Sequence, residues 1–327
     1  MVKFPKISIV TPTFNQGDFI EETICSVLDQ NYPNLDYVII DGGSTDQTVE
    51  TIRKYEKHLT YWVSEPDKGQ SDAINKGFEK CTGDIFNWLN SDDLLMPGAL
   101  NEVATWFNDP SLHILSGSEY HFDHAGEVFR HGSLLYPSVE ESMFYGVIYQ
   151  PSTFWRVDAL RPLLPLNANL HFLMDSEIWV RYLVHNGQGG IKKTGTPLAK
   201  FRIHGESKTT SQQEGFLQER WDIRGELFRS MRRKPPAWIE YMEAAGGKTK
   251  IRSFESSGKF DERKMLLLYA EELVYTMYLK FSYDHAREIL MTTLFEYRLV
   301  SKRLVIYFMK ICLMPRFLLT LFRKSHA

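Results

Sequence analysis

Phe86-Asn87-Trp88-Leu89-Asn90-Ser91-Asp92-Asp93 reads as an apolar strand that empties into two adjacent carboxylates, with Pro97-Gly98 close behind. Neighbouring acids at the mouth of a strand repel each other unless a cation or a set of amide donors sits there. A divalent metal carrying a phosphorylated ligand meets that need, because hard cations prefer carboxylate oxygens. An acidic helix N-cap meets it as well. This stretch alone leaves both readings open.

The flanking sequence repeats the pattern of an apolar run followed by a polar loop. Ile7-Ser8-Ile9-Val10 is a buried strand, and Tyr37-Val38-Ile39-Ile40 is a second that ends at Asp41. Tyr61-Trp62-Val63 is a third, and residues 85–89 form the fourth. Between them lie helical patterns. Asp18 with Glu21 three residues later reads as a capping box for a helix carrying Ile20, Ile24, Val27 and Leu28 on one face. A second helix follows the 42–46 turn, with Asp46 as its cap, and a third starts at Ser71. Pro97 is expected as the first residue of the next helix. Strand and helix in alternation predict an α/β fold with a parallel sheet covered on both faces. In such sheets ligands bind beyond the carboxyl ends of the strands. The polar loops 11–17, 41–46, 65–70 and 90–93 all fall at that edge.

Beyond about residue 108 the alternation breaks down. Short strands are expected at 113–115, 119–122 and 127–129, and helices at 174–185, 212–233 and 264–291. The polar, glycine-containing stretch 244–258 reads as a linker.

Composition narrows the class. The 327 residues are 43% hydrophobic and 24% charged, an ordinary globular balance, and the net charge of -3 gives no electrostatic reason to expect nucleic acid. Cys25, Cys81 and Cys312 lack metal-ligand spacing and suit a reducing compartment. No apolar stretch with a small-residue cleavage site follows Met1, so a secretory signal is not expected. Charge is uneven: residues 294–327 hold seven Lys and Arg against one Glu, leaving the remainder strongly acidic. The apolar runs there are interrupted by Lys310 and Arg316 and are too short to span a bilayer. A basic amphipathic segment on an anionic membrane surface, or a helix packed on the rest of the chain with its basic residues in solvent, both fit.

Four ordered motifs carry a resemblance. Residues 7–15 (ISIVTPTFN), 38–48 (VIIDGGSTDQT), 67–77 (DKGQSDAINKG) and 88–93 (WLNSDD) resemble, in order and spacing, family 2 glycosyltransferases. The likeness covers at least residues 5–110 and extends more weakly over 150–210. It implies a GT-A-type, Rossmann-like fold with a mostly parallel sheet, helices on both faces and a C-terminal helical region. Residues 1–110 would bind a nucleotide sugar, 111–210 the acceptor, 211–293 would form the helical region and 294–327 the basic tail. The implied reaction is inverting transfer of a sugar from a nucleoside-diphosphate sugar, a UDP-sugar by resemblance, to a hydroxyl of a glycan or lipid-linked acceptor. Mg or Mn would be the cofactor. The expected location is cytoplasmic, peripheral on the inner face of the cell membrane.

Residue by residue, the resemblance places Thr11, Pro12, Thr13, Asn15 and Asp41 around the nucleoside, with Lys68, Asp72 and, more weakly, Asn75 near the diphosphate or sugar. A turn-forming Asp before Gly-Gly is the simpler reading of Asp41. Asn90-Ser91-Asp92 stands at the family's Asp-x-Asp element. The chain departs there, because Asn90 brings an amide oxygen without charge, and Asp92 becomes the principal metal ligand. Asp93 could bind, orient its neighbours or cap a helix. Asp175 matches the general base of inverting members, with Glu177 the alternative, and Met174 stands where an acid is common. The Arg202-Ile203-His204 run, continuing to Lys208, offers His204 to the metal and Arg202 or Lys208 to phosphate. Gln150 and Trp155 are expected near the acceptor, although core packing explains the tryptophan equally well.

Two rivals remain at this level. A nucleotidyltransferase would want a glycine-rich basic loop after the first strand, which residues 11–17 do not supply. A non-catalytic nucleotide-sugar-binding subunit is compatible with Asn90 and Met174.

Overall fold

Strand β1 (Ile7–Thr13) is buried along its whole length, and its side chains alternate between two hydrophobic cores, as the two-residue period of a strand requires. Ile7 and Ile9 face one core with Tyr37 and Ile39, whereas Val10 faces the other with Val38 and Ile40. The computed structural model describes residues 4–205, 212–232, 236–241, 249–255, 258–280 and 282–313.

Around β1 the chain lays down α1 (Ile20–Leu28), β2 (Leu35–Asp41), α2 (Thr48–Tyr55), β3 (Tyr61–Ser64), α3 (Gln70–Lys80), β4 (Ile85–Trp88), β5 (Leu94–Leu95) and α4 (Ala99–Trp106). There follow β6 (Ile114–Asp123), β7 (Gly126–Arg130), α5 (Val139–Tyr145), β8 (Thr153–Arg156), α6 (Val157–Leu160), α7 (Met174–Asn186) and β9 (Ile191–Arg202). The C-terminal helices are α8 (Gln213–Arg229), α9 (Glu262–Leu279), α10 (Tyr283–Met291) and α11 (Lys302–Phe308).

Among the described residues the strands form one sheet in the order β3-β2-β1-β4-β8-β6-β9-β5, with β7 paired to β6. The first half is parallel: β2 and β4 flank β1, and β3 extends β2. The strand β8 enters antiparallel between β4 and β6, and β9 runs parallel to β6. Both faces are covered. Ala73, Ile74 and Phe78 of α3 pack on one, and residues of α1, α2 and α4 on the other. The core on the α3 side continues through Ile178 and Tyr182 of α7 into Trp221 and Phe228 of α8 and Tyr269 of α9.

Several expectations meet corrections. Asp18 does not cap α1; its carboxylate accepts from Gln47 Nε2, and Phe19 stands at the N-cap without a side-chain bond. Asp46 does serve the start of α2, accepting from Thr48 N, but it also takes the Gly17 amide. Pro97 lies ahead of α4, whose N-cap is Gly98 in the left-handed region at φ 79°. The short strands expected at 113–115 and 119–122 are one continuous β6. Of the expected linker, the described part, 249–255, is docked: Ile251 and Phe254 are buried, and Arg181 donates to the carbonyls of Arg252 and Ser253.

The approach of α3 to the sheet depends on Gly77. A Cβ built there would lie 2.5 Å from Val10 Cγ1 and 3.3 Å from Ile40 Cγ1. Gly77→Leu should therefore lower stability by about 1–3 kcal/mol through overpacking. Urea unfolding should show a reduced midpoint at unchanged slope; an unchanged midpoint would contradict this packing.

Candidate active site at the strand-end rim

The carboxyl ends of β1, β2 and β4 place three of the polar loops side by side. The first two are cross-linked. Gly42 N donates to Thr13 O at 2.9 Å, Asn15 N to Ser44 Oγ at 2.7 Å, and Thr45 N to Asn15 Oδ1 at 2.9 Å. Asn15 reaches this position at φ 50°, a left-handed conformation that asparagine tolerates better than most residues. Thr11 is buried with its hydroxyl 3.1 Å from Tyr37 Oη, and Pro12 is buried beside it. Thr13 Oγ1 is buried at the end of β1 without a hydrogen-bond partner in the chain.

Asp41 is fully buried, and both its oxygens are engaged. The amides of Gly43 and Ser44 donate to Oδ2 at 3.2 and 2.9 Å, the Ser64 hydroxyl donates to the same oxygen, and the Ser44 hydroxyl donates to Oδ1. In this arrangement Asp41 holds the 42–44 turn against β3. To reach a base or ribose it would have to exchange one of these partners.

The 90–93 turn is held from two sides. Asn90 Oδ1 accepts from Gln70 Nε2 at 2.7 Å, at the first residue of α3. The Arg202 amide donates to Asp93 Oδ1 at 3.0 Å, at the end of β9. Asp93 is completely buried, and burial, with the neighbouring Asp92 charge, holds its carboxyl well above the usual carboxylate range. Of the three roles open to Asp93, orienting its neighbours is the one the structure shows. Ser91 is buried, whereas Asp92 remains partly exposed.

Two residues beyond Arg202 the chain turns His204 onto the same spot, with Nε2 3.0 Å from Asp92 Oδ2. The imidazole leans on Phe19, with centroids 4.8 Å apart. The donor set suits a divalent cation. Ligands at right angles with bonds of about 2.1 Å lie about 3.0 Å apart, which is the spacing of this pair. No cluster of three or more His, Cys, Asp or Glu side chains able to hold a metal occurs among the described residues. Among the described residues the site therefore offers one carboxylate and one imidazole.

Asp175 opens α7, where its Oδ1 accepts from Ser176 N at 2.6 Å. Burial pushes its pKa up to about 6. The loop leading to it is fastened to α3: Ser71 Oγ donates to Leu170 O at 3.4 Å, while Asn75 exchanges two hydrogen bonds with the backbone of Leu166 at 2.8 and 2.9 Å. The start of α3 thus touches both the Asn90 turn and the segment that carries Asp175.

Several expected contacts are not available. Asn75 is spent on Leu166. Glu177 is buried in an ion pair with Arg181, so it is not an accessible base. The Arg202 guanidinium is committed to Asp92 O and Glu22 and stacks over Phe19 and Phe122, which withdraws it from phosphate. Gln150 is buried and donates to Trp88 O, tying β4 to the turn before β8. Trp155 is only 1% exposed and packs edge-on against Trp179 and Tyr182, because its strand position faces the core. Neither Gln150 nor Trp155 can meet an acceptor without leaving the core. Met174 is likewise core. Asp72 accepts the Lys68 amide at 3.1 Å and pairs with Lys76 at 3.7 Å, and the Lys68 side chain is exposed. Lys208 lies outside the described residues. Gln70, which bridges to Asn90, carries no distinguishing signal in the sequence.

Comparison with known proteins bears on the family and the fold. The model of glycosyl transferase family 2 matches residues 8–163. A putative teichuronic acid biosynthesis glycosyltransferase of Bacillus subtilis, TuaG, is 39% identical over 94 residues, which is 27% of this chain and 36% of that relative. The match with an uncharacterized Mycobacterium tuberculosis glycosyltransferase likewise spans 36% of the relative's length, at 38% identity and over 28% of this chain. Among solved structures, Staphylococcus aureus TarS 1-349 in complex with UDP-GlcNAc superposes with a TM-score of 0.56 at 13% identity, covering 90% of this chain and 91% of that one. The mannosyltransferase PcManGT of Pyrobaculum calidifontis, in complex with GDP-Man and Mn2+, gives 0.53 at 18% identity over 73% and 68% of the two chains.

Because the described residues of the site supply only Asp92 and His204, Mn2+ should raise the melting temperature appreciably only when UDP is also present. His204→Ala should weaken that joint effect by about tenfold or more in Mn2+ concentration. A His204→Ala variant with an unchanged Mn2+ response would remove this residue from the site. With its motifs gathered on one rim of a GT-A-like sheet, the chain matches glycosyl transferase family 2 over residues 8–163.

Proposed function

We propose that the protein is an inverting glycosyltransferase that moves a sugar from a nucleoside-diphosphate sugar, a UDP-sugar, to a hydroxyl group of a glycan or lipid-linked acceptor. The observation that carries this reading is Asp175, a carboxylate raised to about 6 that opens a helix fastened to the strand-end rim. The names of TuaG and of the TarS complex support the substrate class by likeness.

In this reading the nucleoside lies over the ends of β1 and β2, where Thr13 Oγ1 lacks a partner and Asn15 and Asp41 shape the wall. Lys68, Asp72, Asn90 and Ser91 line the way from the nucleoside to the sugar. Asp92 and His204 would hold Mg or Mn, which when bound supplies positive charge against the departing diphosphate. Asp175 accepts the proton of the acceptor hydroxyl. That oxygen forms its bond to the anomeric carbon as the bond to the diphosphate breaks, and UDP leaves. A carboxylate acting on the acceptor makes direct displacement with inversion sufficient, and no sugar need be carried on the chain.

The same reading assigns residues 1–110 to the donor, 111–210 to the acceptor, 211–293 to a supporting helical region and 294–327 to the periphery. For the periphery we favour an anionic membrane surface. Leu304 and Ile311 are buried against the protein, while Val305, Ile306, Met309 and Leu313 are exposed beside Lys302, Arg303 and Lys310. No helix among the described residues is long and apolar enough to cross a membrane.

Asp175→Asn tests the central assignment. Turnover, read as UDP release across a panel of nucleotide sugars, should fall by about 10²–10⁴-fold, while UDP binding persists. The wild type should lose activity roughly tenfold per pH unit below about 6, as the base is protonated. Because the folded-state pKa lies above that of an unfolded Asp, ionised Asp175 penalises the native state above about pH 6 and the penalty lifts as pH falls through that value. The Asn variant should therefore be more stable at pH 8 by about 1–3 kcal/mol, and the gain should vanish near pH 4. Full turnover in Asp175→Asn would end this assignment.

A further inference from the structure

Helix α7 begins without a cap of its own. Its N-cap residue, Leu173, has no side chain that can accept a hydrogen bond; Asp175 itself takes the Ser176 amide, while the Leu173 amide is left to another partner. The acceptor comes from a different part of the chain. Glu219, in the first half of α8, is only 4% exposed, and its carboxylate takes three consecutive amides of the loop ahead of Asp175. His171 N donates to Oε1 at 2.7 Å, while Phe172 N and Leu173 N donate to Oε2 at 3.0 and 2.8 Å. The approach of the two segments is close. A Cβ built on Gly215, one turn earlier in α8, would lie 2.3 Å from the Phe172 ring.

We propose that Glu219 is the positioning residue for Asp175: its carboxylate fixes the 171–173 loop and the start of α7, and so sets where the base stands relative to the acceptor hydroxyl. The proposal rests on the assignment of Asp175 as the base. Three charge-assisted bonds to consecutive amides fix both the height and the twist of the loop, which a single bond would not. An error of about 1 Å in the place of a catalytic group costs on the order of 100-fold in rate, so rigidity here is a catalytic requirement and not only a structural one.

The second consequence is electrostatic. The open amides at a helix N-terminus carry partial positive charge and favour an ionised carboxylate, which makes a weak base. Glu219 places its carboxylate on the amides just ahead of that terminus, the last of them Leu173 N at the N-cap. Burial is the main cause that raises the Asp175 pKa; the Glu219 charge acts in the same direction as the smallest of the influences on it. The remaining influences come from the hydrogen bonds of Ser176 and of Asp175's own backbone, which lower it. On α7 itself, the neighbouring Glu177 is neutralised by Arg181. Glu219 thus aims the base, and its charge acts in the same direction as burial. This gives the C-terminal helices a task in the chemistry although they contribute no residue to the donor rim.

Two variants separate these effects. Glu219→Gln keeps the shape but removes the charge and sets an N–H against one of the three amides. Glu219→Asp keeps the charge and shortens the reach. Two readouts are needed: UDP release from the nucleotide-sugar panel, and the titration of the Asp175 carboxyl followed by NMR of aspartate-labelled protein, with Asp175→Asn identifying the signal. Turnover should fall about 10–100-fold in both variants, with UDP affinity changed less than about threefold. The Asp175 midpoint should move to lower pH in Glu219→Gln and stay near that of the wild type in Glu219→Asp. A lower melting temperature with unchanged midpoint and unchanged turnover would reduce Glu219 to a structural residue and overturn the proposal. Should Glu219→Gln not fold, the proposal stands or falls on Glu219→Asp, where undiminished turnover would overturn it. If Asp175→Asn itself turns over normally, the functional reading has failed; if it is inactive while the Glu219 variants behave as wild type, only the positioning proposal has.

Discussion

The hydrogen bond from the Arg202 amide to Asp93 Oδ1 holds the rim together, with the Arg202 guanidinium donating to Asp92 O beside it. It joins the turn after β4 to the end of β9, although these segments lie on opposite sides of the intruding strands β8 and β6 in the sheet order. The Asp93 end of the bond is fully buried, and Asp93 is held toward its neutral form by burial and by the Asp92 charge beside it. A neutral carboxyl can occupy that position without the cost of burying a second charge next to the first. The adjacent acids of the opening motif are therefore unlike each other. Asp93 is a structural link, and Asp92 is the one left facing outward, with His204 delivered to it two residues beyond the link.

From this constraint the rest of the site follows in order. Once β9 is pinned to the Asp turn, the His204 imidazole stands at a ligand's distance from Asp92, and α8 begins a short way along the chain. The Glu219 carboxylate of α8 then reaches back to the loop before α7. On the other side, the start of α3 touches the Asn90 turn through Gln70 and the same loop through Ser71. The Asn90 turn and the loop before α7 are thus joined through α3, and α8 fastens that loop from its other side.

How much of this was legible in the sequence depended on range. Strands β1 to β4 and the helices between them announce themselves through local periodicity, and the rim loops follow because each strand ends in its own polar cluster. Asp92, His204 and Asp175 could be picked out by type and motif. The orientation of β8 could not be read, because its faces are set by antiparallel pairing to β4 and β6, and so Trp155 and Gln150 looked as suited to an acceptor as to the core. Asn75 looked like a ligand contact, yet its amide pairs with a backbone segment 91 residues away. Glu219 left no trace at all. Its partners are main-chain amides 46 to 48 residues earlier, and an acid in a charged helix has no local feature to set it apart. Residues whose partners are side chains of motifs were visible, and those whose partners are distant backbone were not.

The claim on which the account turns is that Asp92 and His204 share one cation with the diphosphate of a nucleotide lying over β1 and β2. The most direct measurement is a crystal structure of the protein grown with UDP and Mn2+, with the metal located by its anomalous scattering. The account predicts a single manganese bound by Asp92 Oδ2 and His204 Nε2 and by diphosphate oxygens, with the uridine beside Thr13. Manganese located elsewhere, or UDP bound away from this strand edge, would contradict it.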